Sequence, residues 1–138
     1  MTAKKIITFT DGASRGNPGP AGIGAYLLDE KGETLAEVSQ FVGITTNNEA
    51  EYRALLLALT RSLEMKASTV QCFLDSELVV RQLNGQYRVK SEKMAKFFAN
   101  VKDLMSKFES VTFAHVPREH PNQQVADRLA NRGIDEGR

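Results

Sequence analysis

Two glutamates stand two residues apart in the stretch TTNNEAEYRALLLALTRSLEM, residues 45–65. Apolar residues recur there at helical spacing, so the stretch predicts an amphipathic helix. Glu49 falls on the polar side of that helix with Arg53, whereas Glu51 falls on the apolar side, one turn before Leu55. A buried lone carboxylate is costly unless a cation or hydrogen bonds meet it. We therefore interpret Glu51 as a functional carboxylate.

Glu49 has a structural explanation instead. The run Thr46-Asn47-Asn48-Glu49 matches the Thr-x-x-Glu capping box at the start of a helix. Glu49 can also pair with Arg53 four residues later, which is worth a few tenths of a kcal/mol. We expect Glu49 to lie on the solvated face and to have no catalytic role.

Three aspartates also interrupt apolar patterns. Asp11 ends the apolar side of the alternating run KKIITFTDG, Asp75 follows the apolar run VQCFL, and Asp127 lies in VADRLAN, near the start of a predicted last helix. Taken alone, Asp75 is equally well explained as a helix N-cap, and Asp127 as a charge placed favourably near a helix N-terminus.

Four acidic residues from four elements form a more specific pattern than any one of them. Carboxylate oxygens are hard ligands that suit Mg²⁺. Two such ions, about 3.5 to 4 Å apart, can hold the attacking and leaving oxygens of a phosphoryl transfer. The pattern therefore predicts phosphodiester hydrolysis.

The elements that must position these carboxylates follow from periodicity. KKIITFTDG predicts a strand, the Gly/Pro-rich GASRGNPGPAG a loop or tight turn, and IGAYLLDEKGETLAEVSQF a hairpin that turns at DEKG. After the helix begun by Thr46 come a strand (VQCFLD), a short helix (SELVVRQLNG), a long helix (SEKMAKFFANVKDLMSKFE) and a strand (VTFAHV). The last helix, NQQVADRLANRGIDEGR, is expected to face inward with Val125, Leu129 and Ala130 and to stop at Gly133. The order predicts an α/β fold with a mixed five-stranded sheet, its first three strands antiparallel, flanked by helices.

Composition and net charge narrow the classes of protein to which the chain can belong. The 138 residues are 41% hydrophobic and 25% charged, which predicts one soluble domain over residues 1–138. A net charge of +1 gives no global basis for binding a polyanion, so any basic surface must be local. The single Cys72 excludes an internal disulfide and is expected to be a buried thiol. The first residues lack a signal-peptide apolar region and no run approaches 18 apolar residues, so we expect a cytoplasmic protein without membrane contact.

The quoted motifs resemble those of a known family. TDGASRGNPGPAGIG, TNNEAEYRAL, LDSELVVRQLNG, VKSEKM and HVPREHPNQQVADRLAN occur in the order and spacing of type 1 ribonuclease H, and the chain resembles the compact prokaryotic form over nearly all its length. The resemblance implies a ribonuclease H-like fold in which Asp11, Glu51, Asp75 and Asp127 bind metal and act as the catalytic set. It implies two Mg²⁺ ions, with Mn²⁺ as a substitute, in a monomer that hydrolyses the RNA strand of RNA/DNA hybrids and leaves 5′-phosphate and 3′-hydroxyl ends. The alternative is a non-catalytic nucleic-acid-binding or interaction module on the same fold.

Residues that would contact the hybrid are implied in the same way. Asn17, Asn47 and Asn48 would lie along the minor groove, and Thr46 and Ser91 at a DNA-strand phosphate. Gly12 is also expected to bind the substrate. Many relatives place a mobile histidine before the last helix. Counting from VTFAHV puts Arg118 there, whereas counting back from Asp127 offers His120. We expect Arg118 to take that catalytic place and His115 to be structural.

One departure from the family concerns hybrid binding. The segment between Asn84 and Phe97 is too short for the basic protruding handle of some relatives. Binding is therefore expected to use the basic residues Arg81, Arg88, Lys90, Lys93 and Lys96, although a solvated helix face explains Lys93 and Lys96 equally well.

Two other nucleotide-related classes fit less well. The Gly-rich loop lacks the Gly-x-Gly-x-x-Gly order of dinucleotide-binding proteins and joins two strands instead of opening a helix. A 3′ exonuclease with a similar fold has Asp-x-Glu on its first strand, where this chain has Asp11-Gly12-Ala13.

Overall fold

The computed structural model describes residues 4–137, so residues 1–3 and 138, at the ends of the predicted domain and of the predicted last helix, lie outside the described part. The strands are β1 (Lys5–Ser14), β2 (Gly19–Leu28), β3 (Thr34–Thr45), β4 (Thr69–Leu74) and β5 (Ser110–His115). The helices are α1 (Asn47–Glu64), α2 (Glu77–Leu83), α3 (Glu92–Met105) and α4 (Pro121–Gly137).

The strands form one mixed sheet in the order β3-β2-β1-β4-β5. β1, β2 and β3 pair antiparallel, while β4 pairs parallel with β1 and β5 parallel with β4. This topology confirms the predicted fold. It makes β1 the central strand, which pairs with β2 along its length up to Ser14 and with β4 as far as Thr10.

Alternating residues of the strands face two different layers. Ile6 of β1 belongs to the main core with Leu55 of α1 and Val101 of α3. Phe9 of β1 packs instead with Ala126 of α4. The sheet therefore lies between α1 and α3 on one face and α4 on the other.

Three of the helices have a hydroxyl residue as their N-cap. The side chains of Thr46, Ser76 and Ser91 accept the backbone N–H three residues later, at the starts of α1, α2 and α3. The predicted starts of α1 and α2 are thus confirmed. Gly85, with φ 78°, follows α2 in the backbone region that favours glycine.

Of the loop or tight turn predicted for the Gly/Pro-rich stretch, the structure has the tight turn, and the strands extend into both ends of the stretch. β1 continues through Ser14 and β2 begins at Gly19, so only four residues separate the strands. Ala13 and Ser14 pair with Gly22 and Ala21 in the ladder. Cross-strand pairing overrides the poor strand propensity of these residues, and Asp11 lies inside a strand instead of ending it.

The predicted stop of the last helix at Gly133 is also wrong. α4 continues to Gly137, and Gly133 is buried where the helix crosses β3. A Cβ on Gly133 would lie 2.6 Å from the carbonyl oxygen of Gln40. This glycine permits close packing of helix on sheet and does not end the helix. Val125, expected inward, is only partly buried, whereas Leu129 and Ala130 are buried as predicted.

Cys72 lies buried in β4, as predicted. Burial raises the pKa of its thiol to about 12. The thiolate is therefore scarce near neutral pH, and Cys72 acts as a small core residue.

Across residues 4–137, none of the helices is both long enough and apolar enough to span a bilayer.

Candidate active site

The predicted carboxylates meet in a cleft at one edge of the sheet. Asp11, Glu51, Asp75 and Asp127 all line it, one from each of β1, α1, the end of β4 and α4. One oxygen from each of Asp11, Glu51 and Asp75 lies within 4.8 Å of the others. Asp127 joins these three from α4. The structure therefore brings together the four acidic residues that sequence reasoning selected.

Parallel pairing of β1 and β4 places the two strand aspartates side by side. Thr10 pairs with Leu74, so Asp11 and Asp75 are the next residues of adjacent strands. β4 ends at Leu74, and Ser76 then caps α2. Asp75 thus lies in the turn between strand and helix, where its side chain lines the cleft.

Gly12 fixes Glu51 against β1. The backbone N–H of Gly12 donates to Glu51 Oε1 at 3.1 Å. A Cβ on Gly12 would lie 2.4 Å from the backbone nitrogen of Glu51 and closer still to the Ala50 carbonyl carbon. Only glycine lets α1 approach β1 closely enough to bring Glu51 beside Asp11.

Burial raises the pKa of three of these carboxyl groups, and negative neighbours add to the effect. Asp11 and Glu51 are each 6% exposed. Burial, followed by the negative charge of Glu51, raises the pKa of Asp11 far above its usual range. Burial also raises the pKa of Glu51, with a further contribution from Asp75, and burial raises that of Asp75 against the opposing charge of Arg118. Such a cluster favours a bound cation, because a positive charge relieves both desolvation and repulsion.

The donor set fits a divalent metal ion. Among the described residues, Glu51 Oε2 is buried without a hydrogen-bond partner, although Glu51 Oε1 has one. An oxygen left in that state is costly unless a ligand meets it. Three convergent carboxylates are hard oxygen donors of the kind that Mg²⁺ and Mn²⁺ prefer. A divalent cation held by Asp11, Glu51 and Asp75 would satisfy that oxygen.

Asn131, which sequence reasoning missed, holds Asp127. Its Nδ2 donates to the backbone oxygen of Asp127 at 3.0 Å and lies 3.4 Å from Asp127 Oδ1. Arg15, from the β1–β2 turn, reaches Asn131 Oδ1 at 3.4 Å and Asp135 at 2.6 Å. The helical i, i+4 spacing of Asp127 and Asn131 was the available signal.

Arg118 and His120 lie in different surroundings. Arg118 lines the cleft, with Nε 3.8 Å from Asp75 Oδ2 and its side chain 80% exposed. The ring of His120 stacks on Phe9 with centroids 5.1 Å apart, and its Nδ1 accepts the N–H of Asn122. Of these two side chains, Arg118 is therefore the one that lies beside the carboxylates. His115, at the end of β5, is exposed.

The asparagines expected at the hybrid also tie the β1–β2 turn to α1. Asn17 Oδ1 accepts the N–H of Asn47 at 3.0 Å, and Asn47 Oδ1 accepts the N–H of Ser14 at 2.9 Å. Asn48 lies in the cleft wall and also lines a second, neighbouring groove. Ser91 lies in that second groove.

The second groove, here called the side groove, runs between α2 and the start of α3. Arg88 and Lys90 line it, together with exposed Leu78 and Tyr87, which no sequence signal distinguished. Two other predicted basic residues form ion pairs: Arg81 with Glu77 at 2.7 Å and Lys93 with Glu49 at 2.9 Å.

Glu49 is not on the solvated face where helical spacing placed it. It is only 4% exposed, and Lys93 Nζ of α3 lies 2.9 Å from its Oε1. Thr45 donates its hydroxyl to Glu49 Oε2, and Arg53 Nε lies 3.8 Å from the same oxygen. The capping bond to Thr46 and the pairing with Arg53 are confirmed, but α3 and the end of β3 cover the face. The nearby cations and hydrogen bonds lower the pKa of Glu49 even though burial opposes them.

Comparisons of the sequence and of the structure with known proteins point to the same family. The family described as "Reverse transcriptase-like" matches residues 9–133. The structure of RNase H1 from Halobacterium salinarum superposes with a TM-score of 0.91 at 35% identity, covering 96% of this chain and 98% of that one. LC11-RNase H1, solved in complex with an RNA/DNA hybrid, superposes with a TM-score of 0.88 at 45% identity, covering 96% and 98%.

Some curated relatives are longer proteins. A bifunctional protein of Mycobacterium tuberculosis is 40% identical over 132 residues, which is 95% of this chain and 36% of that protein. The chain likewise spans 65% of the curated ribonuclease HI of Halobacterium salinarum. The chain thus spans from about a third to two thirds of the length of these relatives.

Proposed function

Because the chain belongs to the type 1 ribonuclease H family, we propose that it hydrolyses the RNA strand of RNA/DNA hybrids and leaves 5′-phosphate and 3′-hydroxyl ends. The observation that carries the proposal is the convergence of buried Asp11 and Glu51 with Asp75, which leaves Glu51 Oε2 without a partner among the described residues. A fold retained only for binding would gain nothing from this repelling cluster, since like charges in one site raise each other's pKa.

We propose Mg²⁺ as the metal, with two ions per site and Mn²⁺ as a substitute. When bound, the ions supply an activated water and neutralise charge at the departing 3′ oxygen. Asp11, Glu51 and Asp75 would hold the first ion, and Asp127 would complete the site from α4. These roles rest on the shared cleft and on the preference of Mg²⁺ for carboxylates.

Arg118 is proposed to act on the phosphate at the cleft mouth. Its guanidinium lies near Asp75 on a largely exposed side chain, so it can exchange that carboxylate for a phosphate oxygen. A mobile cation at this place would stabilise developing negative charge and accompany the released 5′-phosphate end.

The walls of the cleft suggest how the hybrid is held. Asn17, Asn47 and Asn48 lie beside Gly12 at the junction of β1 and α1, where amide groups can contact the 2′-hydroxyls that distinguish RNA from DNA. Thr46 and Ser91 each accept a backbone N–H at a helix start, which leaves the hydroxyl proton available for a DNA-strand phosphate.

We propose that a monomer is sufficient and that it acts in the cytoplasm. All four carboxylates come from one chain and reach one cleft, so no second copy is needed to complete the site. We treat residues 1–138 as a single catalytic domain.

The proposal is tested by incubating the protein with Mg²⁺ and an RNA/DNA hybrid labelled on the RNA strand. RNA/RNA and DNA/DNA duplexes of the same sequence serve as matched controls, with a chelator as the metal control. We expect cleavage of hybrid RNA alone, with fragments that carry 5′-phosphates. Equal cleavage of all three duplexes, or of none, would exclude the proposed activity.

A further inference from the structure

The side groove, which runs between α2 and the start of α3, also has the start of α1 as part of its wall. Asn48, near the start of α1, lies on one side, and Ser91, which caps α3, lies on the other. Between α2 and α3 the chain passes through an exposed segment, residues 84–91, without helix or strand. The start of α3 therefore needs a tertiary contact to hold it at a fixed distance from α1.

The pair of Glu49 and Lys93 is one such contact, beside the packing of Met94 and Phe97 of α3 against the main core. Glu49 is the third residue of α1, and Lys93 is the second residue of α3. The carboxylate is buried and its distance to Lys93 Nζ is 2.9 Å, while most of the lysine side chain is exposed. A second contact runs in parallel, because the Arg53 guanidinium lies over the Phe97 ring, 5.8 Å from its centroid. Both contacts join the first two turns of the same two helices.

We propose that Glu49 is a positioning residue for hybrid binding, which holds the start of α3 through Lys93 and thereby sets the separation of Ser91 from Thr46 and Asn48. The inference rests on the proposed function, and it goes further by assigning a role to a residue that touches neither metal nor substrate. Glu49 is itself anionic, so it would repel a phosphate if it acted directly. Its contribution to binding must come through Lys93 and α3.

The sign of the effect separates positioning from direct electrostatics. If Lys93 simply contacts a phosphate, Glu49→Gln should free the lysine and lower KM for the hybrid. If Glu49 positions α3, both Glu49→Gln and Lys93→Met should raise KM by about three- to tenfold, with kcat within about twofold, because the loss is of ground-state binding. The double variant should be no worse than the worse single variant, since both remove one interaction.

Two conservative variants strengthen the test. Glu49→Asp keeps the charge but shortens the reach, so it should also raise KM. Lys93→Arg keeps a cation of similar length and should restore KM to within about twofold of wild type. Lys93 is exposed, so the lysine variants should fold even where a change at buried Glu49 does not.

The experiment measures KM and kcat on RNA/DNA hybrid, with thermal unfolding of each variant. Val101→Ala is the matched control, because it weakens the core under α3 without touching the side groove. It should lower stability and leave KM unchanged. An unchanged or lowered KM in Glu49→Gln and Glu49→Asp, or an equally raised KM in Val101→Ala, would overturn the positioning role. Absence of hybrid cleavage by the wild type, in contrast, would overturn the proposed function itself.

Discussion

Two glutamates near the start of α1 are both buried, but their surroundings differ in charge. Glu49 has Lys93 and Arg53 beside it, and the pKa of its carboxyl is lowered. Glu51 is buried near the negative charge of Asp75, and both burial and that charge raise the pKa of its carboxyl group. Its Oε2 has no hydrogen-bond partner among the described residues. The same side chain therefore stabilises the fold at one position and strains it at the other.

We expect Glu49→Gln and Glu51→Gln to change stability in opposite directions. In metal-free protein, Glu49→Gln should lower the free energy of unfolding by about 1 to 3 kcal/mol, because the buried side chain at position 49 loses its charged interactions with Lys93 and Arg53. Glu51→Gln should hold or raise stability, because one repelling charge is removed. Chemical denaturation in a chelator measures both. A loss for Glu51→Gln as large as that for Glu49→Gln would contradict this interpretation.

Asp11→Asn and Asp75→Asn should separate cleavage from binding. Each amide removes an anionic ligand, which should reduce cleavage at least about tenfold, since a metal clamp is worth several kcal/mol. Affinity for hybrid should stay within about twofold, because phosphate contacts elsewhere supply it. Cleavage assays and a binding titration on the same substrate check the pair. Asp103→Asn, on exposed α3 surface, is the control for loss of one negative charge.

Helical angles alone selected Glu51 and misplaced Glu49. The angle shows which residues share a side of α1, and Glu51 does lie among buried residues. It does not show what covers the other side, which here is Lys93 from α3 and Thr45 from β3. A long-range partner of this kind leaves no local signal in the sequence.

At the scale of elements, the approach of α1 to β1 depends on Gly12. We expect Gly12→Ala to push α1 away, since the new Cβ would overlap the backbone of Ala50 and Glu51. Cleavage should fall at least about tenfold and stability by about 1 to 3 kcal/mol, as for overpacked sites. The measurements are kcat on hybrid and the thermal midpoint.

Gly32→Ala is the control for that substitution. Gly32 lies in the β2–β3 turn, where an added Cβ would meet no atom within 4 Å, but its φ of 84° disfavours alanine. It should therefore lower stability by about 1 kcal/mol and leave kcat unchanged. If Gly12→Ala behaves like Gly32→Ala, close backbone contact is not what places Glu51.

The elements themselves were largely predictable, and the two errors share a cause. Apolar residues recur with a period of two in the strands and with helical spacing in the helices, because each strand or helix buries one face. These patterns located the elements. Composition predicted the turn at residues 15–18 but missed that residues 12–14 and 19–22 belong to strands, and it wrongly placed a helix stop at Gly133. In both places glycine instead lies where two backbones approach closely or pair, and only tertiary structure distinguishes these uses.

At the scale of the whole molecule, the carboxylate cluster should make stability depend on pH. The pKa values of Asp11, Glu51 and Asp75 are raised in the folded state. Above the ordinary carboxyl pKa of about 4, the folded protein therefore binds more protons than the unfolded chain. Metal-free stability should fall as pH rises from about 5 to about 8, a range that lies above that ordinary pKa.

Thermal unfolding in a chelator across that pH range checks the slope. Asp11→Asn should flatten it, because the residue with a far-raised pKa no longer titrates, and Mg²⁺ should flatten it by favouring the charged form. Glu49 acts in the opposite sense at lower pH: its stabilising charge is lost as pH falls through its lowered pKa. A metal-free stability that rises from about pH 5 to about pH 8 would show that the carboxylates do not converge.

The contact of Gly133 with Gln40 has a consequence for how freely the sequence of α4 can vary. Outward positions such as Arg128 are exposed, so a library that randomises them should retain many residue types. Position 133 has no room for any side chain, and Gly24 meets the helix from β2 in the same way. A screen that selects only for stable protein should therefore enrich glycine at these two positions. Because α4 also carries Asp127, the same selection should keep the fourth carboxylate aligned with the other three, even though cleavage is not selected.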